Sequence, residues 1–109
     1  MTTELVRDVI DLNQRNKVLT EIAYTRFSNQ VRGALLDLYF GGIDIPLRLL
    51  GTNSQIDSFM TTLTREKRYM DSYLKNGLND SRTLQSKTDL LKAVTRFERE
   101  TGLRWPFKN

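Results

Sequence analysis

The dipeptide Gly41-Gly42, inside Phe40-Gly41-Gly42-Ile43, constrains what this chain can fold into more than any other feature. Two adjacent glycines suit a two-residue hairpin loop, because a type I′ turn requires positive φ at both central positions. Counting outward from such a turn pairs Phe40 with Ile43, Leu38 with Ile45, Leu36 with Leu47 and Ala34 with Leu49, all apolar and all on one face. The other face carries Asp37, Tyr39, Asp44, Pro46 and Arg48, with Leu35 and Leu50 as exceptions. This is the two-residue period of a half-buried sheet. Pro46 has no N–H to donate, which makes its strand an edge strand. Upstream, Val18–Phe27 contains Ile22, Tyr24, Thr25 and Phe27, a β-branched and aromatic mixture that suits a third strand.

A second period runs through the same residues. Leu19, Ile22, Ala23, Phe27, Val31, Ala34, Leu35 and Leu38 recur at intervals of three and four, so a helix from Lys17 to Phe40 ending at Gly41 also fits. Gly33 in its interior would cost about 1 kcal/mol relative to Ala, which favours the strands.

The flanking segments read as helices. Over residues 3–14, Leu5, Val6, Val9, Ile10 and Leu12 cluster at helical spacing behind a threonine cap, and the polar run Asn13–Asn16 ends the segment. Over 54–76, Ile56, Phe59, Met60, Leu63, Met70 and Leu74 form one stripe between Thr52-Asn53-Ser54 and Gly77. Lys67 projects onto that stripe and is expected to snorkel to its rim. Over 87–101, Leu90, Leu91, Val94 and Phe97 form the buried stripe. Ser86-Lys87-Thr88-Asp89 resembles a capping box, and Gly102 is the stop with Leu103 folding back on Phe97. Leu78–Gln85 is expected as a polar connector.

The expected fold is therefore α+β: an N-terminal helix, a small antiparallel β-hairpin or three-stranded meander, and two C-terminal amphipathic helices packed on its apolar face. The alternative is an all-α bundle of four helices. At 109 residues, 1–109 is expected to be a single small globular domain.

Composition narrows the chemistry. The chain has no cysteine and no histidine, which removes disulfides, thiolate nucleophiles, Cys-type zinc sites, the commonest general base and the commonest transition-metal ligand. No phosphate-cradling glycine loop is present, since Gly41-Gly42 lacks both the P-loop Lys-Ser/Thr and the GxGxxG spacing. Asp37 and Asp44 flank the glycines without facing each other and read as solubilising charges. The chain is expected not to be an enzyme and to need no cofactor or metal. No run approaches 18 apolar residues, and the N-terminus is interrupted early by Glu4, Arg7 and Asp8. A cytoplasmic protein without a membrane partner is expected.

The net charge of +4 is unevenly spread. Residues 77–109 hold seven basic side chains (Arg82, Lys87, Lys92, Arg96, Arg99, Arg104, Lys108) against four acidic ones. Lys92, Arg96 and Arg99, at i, i+4 and i+7, share a line opposite Leu90, Val94 and Phe97, and such a line can track a phosphate backbone. Asp89, Glu98 and Glu100 flank it. Arg65, Arg68 and Tyr69 form a second basic segment whose ring could stack on an unpaired base. If three strands exist, Tyr24, Arg26, Arg32 and Arg48 share an exposed sheet face. Trp105 and Phe107 flank Pro106 near the chain end and must pack either on this chain's core or on a partner, including a second copy.

The function expected is that of a small binding protein that recognises nucleic acid, or a nucleic-acid-processing protein, through Arg65, Arg68, Tyr69, Lys92, Arg96 and Arg99. The alternative is a protein-interaction or homo-oligomeric assembly module anchored by Trp105 and Phe107. No motif assigns the chain to a family.

Overall fold

A computed structural model describes residues 8–15, 19–40 and 47–107. The element order is β1 (Asp8–Asp11), α1 (Glu21–Phe40), β2 (Leu47–Leu50), α2 (Asn53–Asn76) and α3 (Ser81–Thr101). The two strands pair in parallel, with Val9 opposite Arg48 and Ile10 opposite Leu49. Parallel neighbours need a long crossover, and α1 is that crossover.

This architecture corrects the expected fold class. The described residues are mostly helical, with three helices and one short two-stranded parallel sheet. Neither an antiparallel hairpin or meander nor a fourth helix occurs among them. The residues expected to form the first hairpin strand, Ala34–Phe40, are the last turns of α1. Burial decides between the two periods. Phe27, Val31 and Leu35, spaced four apart, are 4%, 0% and 5% exposed, whereas Leu36, which the hairpin alone would have turned inward, is 52% exposed. Phe27, at the head of that buried helical stripe, stacks on Phe97 of α3 with ring centroids 6.1 Å apart. Most of the stretch expected as a third strand is the start of α1, where the Thr20 hydroxyl accepts the Ala23 N–H. The proposed turn at Gly41-Gly42, with Ile43, Asp44, Ile45 and Pro46, lies outside the described residues. Leu47–Leu50 is a strand, but its partner is β1.

The N-terminal helix is corrected as well. Asp8–Asp11 is extended, and the part of that expectation at residues 1–7 lies outside the described residues. Ile10 and Leu12 are 2% and 0% exposed while Val9 is 49% exposed, so the apolar cluster is read in alternation. Val9 offers its carbonyl to the Gln30 side chain of α1, Leu12 donates its N–H to the Leu50 carbonyl, and Gln14 donates its own to the Thr101 carbonyl. These bonds stitch β1 to α1, to the end of β2 and to the end of α3.

The C-terminal helices run close to expectation. Thr52 caps α2 in a reciprocal box with Gln55. The α3 helix begins six residues earlier than its periodicity suggested. Asp80 is the cap, its carboxylate accepting the Arg82 backbone N–H at 2.9 Å and the Arg82 guanidinium at 3.0 and 3.2 Å. Hydrogen bonding to Arg82 holds the Asp80 carboxyl below the usual carboxylate range. The expected polar connector is thus mostly helix, and fully buried Thr83 hydrogen-bonds Ser72 across the pair. Within the expected capping box, Thr88 instead donates to the Leu84 carbonyl one turn back. Gly102 (φ 78°) ends α3 in the left-handed conformation that glycine adopts without strain.

α2 and α3 form an antiparallel hairpin. One side of it is covered by α1, the sheet and the returning tail Leu103–Phe107. Phe59, Phe97 and Trp105 meet at the centre of that cover with ring centroids 5.3 to 6.1 Å apart. Burying each such ring stabilises the fold by roughly 1.5–3 kcal/mol.

Candidate functional site

Arg65 and Arg68 come from α2, Lys92, Arg96 and Arg99 from α3, and the fold brings them together. Two ion pairs cross the seam between the helices: Arg65 with Asp89 at 3.4 Å, and Arg96 with Asp57 at 2.9 Å. Both lie on the side of the seam away from α1 and the tail. Arg68 stands three residues beyond Arg65, while Lys92 and Arg99 stand four before and three after Arg96. Helical spacing puts them on the same outer face. Arg68, Lys92 and Arg99 are exposed and make no ion pair among the described residues. Arg65 and Arg96 keep about a third of their side chains in water. A guanidinium has five N–H donors, so each retains free donors beside its carboxylate.

The face is cationic but not uniformly so, because Asp57, Asp89 and, at its margin, Glu100 stand among the five cations. Glu98, expected to flank the basic line, is turned to the other side of α3, where its carboxylate accepts the Trp105 backbone N–H at 2.9 Å. A shallow depression of about 290 Å³ runs along α2 between Thr61, Thr64, Arg65 and Arg68, with Met60 at its edge. It gathers two hydroxyls and two guanidinia.

Tyr69 does not join the face. It follows Arg65 by one helical turn but is half-buried and packs against the core, so only part of its ring reaches solvent. The four residues read as one sheet face are dispersed. Arg26 lies exposed on α1 and Arg48 on β2. Tyr24 lies under the Arg104 guanidinium at 5.0 Å, and Arg32 lies over Phe107 at 5.8 Å.

Trp105 is 2% exposed and Phe107 packs half-buried against it, with centroids 6.2 Å apart. Both aromatics therefore serve this chain's own core. The group that receives Trp105 was not legible as such in the sequence. Glu66 sits between Arg65 and Lys67 in a charged run, yet it is 5% exposed and its carboxylate accepts the Trp105 indole N–H at 2.9 Å. Burial pushes the Glu66 carboxyl above the usual carboxylate value, and the indole hydrogen bond opposes part of that rise. The signal that could have found it is its register, since Phe59, Thr62, Leu63 and Glu66 share the inward stripe of α2. Lys67, by contrast, keeps a third of its side chain in water and pairs with Asp71 one turn on at 2.8 Å.

Among the described residues, no group of three or more Cys, Asp or Glu side chains could hold a metal ion, and no helix is long and apolar enough to cross a membrane. Comparison of the chain with protein-family models, with curated proteins and with solved structures finds no match.

Proposed function

We propose that the chain is a small non-enzymatic protein of the cytoplasm that binds nucleic acid by its phosphates, through the outer face of the α2–α3 hairpin. The observation that carries this reading is the convergence of five cations from two separate sequence segments on one solvent face, none of them needed by the core. Arg68, Lys92 and Arg99 supply the exposed charge, Arg65 and Arg96 are held in place by Asp89 and Asp57, and the Thr61 and Thr64 hydroxyls are additional phosphate donors. Contacts of this kind position a protein on a backbone and carry no base information. Tyr69 has no part in the reading. The assembly alternative is not carried forward, because its two anchors are used inside the chain.

The test is fluorescence anisotropy with a labelled oligonucleotide over a salt series, comparing the natural chain with the variant Arg68→Ala/Lys92→Ala/Arg99→Ala. Each lost phosphate contact flattens the log–log salt slope by about 0.9 on duplex DNA, so the triple variant should lose about 2.7. A slope unchanged in the triple variant, or no binding by the natural chain, overturns the assignment.

A further inference from the structure

Resting on the reading just given, we infer that the face takes the two backbones of a duplex rather than a single strand, and does so without regard to sequence. Single-strand binders add aromatic stacking to charge, worth about 1–3 kcal/mol per base, and this face offers no fully exposed ring among the described residues. Tyr69 is packed against the core, while Phe59, Phe97 and Trp105 are buried on the far side of the hairpin. Tyr73 is exposed, but it lies five residues beyond Arg68, about 140° around the helix from it.

The charge layout points the same way. It forms two rows, Arg65 and Arg68 on α2 and Lys92, Arg96 and Arg99 on α3, on axes that packed helices hold roughly 8–10 Å apart. The α3 row runs over seven residue steps, Lys92 to Arg99, a rise of about 10 Å. One flexible strand could follow one row, whereas two rows facing the same way suit the paired phosphate tracks that border a groove. The carboxylates Asp57 and Asp89 stand at the N-terminal ends of the two rows, each paired with an arginine of the opposite helix, and leave Arg68, Lys92 and Arg99 to face the phosphates.

The experiment measures the full chain against a 20-base-pair DNA duplex, a second duplex of unrelated sequence, and the isolated strand of the first, at 50 and 200 mM NaCl. Three exposed cations on duplex DNA predict about a 40-fold loss of affinity across that fourfold salt change. The duplex should bind about tenfold more tightly than its strand, in keeping with its doubled linear charge density, and the two duplexes should bind alike. Equal or tighter binding to the single strand, or a preference for one duplex sequence, overturns this inference while leaving the phosphate-binding reading intact. Absence of salt-dependent binding to any of the three overturns both.

Discussion

Arg65 and Glu66 are neighbours in the chain and live in different solvents. Arg65 faces outward across the hairpin seam, about a third exposed, against a carboxylate that is 28% exposed. Glu66, about 100° further round α2, is enclosed with Trp105 and Phe59. On the outer face, charge is cheap to hold and free to be used by a partner. On the inner face the Glu66 carboxylate carries a desolvation cost, and the structure offsets part of it with one indole hydrogen bond. The two sides of one helical hairpin therefore divide the labour: the inner side makes the fold, and the outer side is the one available for recognition.

The largest test of that division strikes the inner side. Phe97→Ala removes the ring that meets Phe27, Phe59 and Trp105 and should cost about 3–5 kcal/mol, read as a drop in the urea midpoint. A loss below about 1 kcal/mol would mean that the inner side is not the core. Glu66→Gln probes the buried charge itself. The amide oxygen still accepts the indole N–H, but no charge is buried, so stability at pH 7 should rise by about 1 kcal/mol. The pH dependence gives the sign. Because the folded chain holds the Glu66 proton more tightly than the unfolded chain does, this group contributes most below its ordinary value, and the contribution is lost as pH rises through the raised one. Urea midpoints at pH 4 and pH 7 should therefore move together in the variant more closely than in the natural chain. The outer side should respond weakly. Arg65→Ala and Arg96→Ala each break one exposed ion pair and should change stability by less than about 1 kcal/mol. The smallest effect expected is in binding: Asp57→Asn/Asp89→Asn removes both carboxylates from the outer face and should tighten duplex binding about threefold at low salt. Weakened binding would show that those acids position the arginines more than they oppose the phosphates.

Legibility in the sequence varied along the chain for identifiable reasons. The stripe through Phe59 and Leu63 has one period and one solution, and the cap and stop of α2 are local chemistry, so that helix was readable to within a residue. Ala34 and Leu38 fit two periods at once, while Leu35 fits only the helical one and Leu36 only that of the hairpin. The choice between them depends on long-range packing, seen where Phe27 stacks on Phe97, seventy residues away. Ile10 and Leu12 posed the same problem in reverse. The N-terminus of α3 was misplaced because the Asp80 cap precedes a polar first turn, Ser81-Arg82-Thr83, whose buried member is a threonine. Of the basic residues, each row was visible separately by its spacing. Nothing in the spacing said that they would share a face, that Tyr69 would turn toward the core, or that Glu98 would be drawn away to hold the Trp105 backbone.

From the sequence alone came the two long amphipathic helices, the left-handed glycine after Thr101, the absence of thiol and imidazole chemistry, and the cations at helical spacing. All of these depend on residue identity or on neighbours within about two turns. Tertiary structure alone decided the parallel sheet, the helical state of Glu21–Phe40, the burial of Glu66 under Trp105 and the merging of two basic rows into one face. Each of those turns on contacts between residues far apart in the chain. There, packing against Phe97 and the returning tail outweighs local preferences that differ by only about 1 kcal/mol per residue.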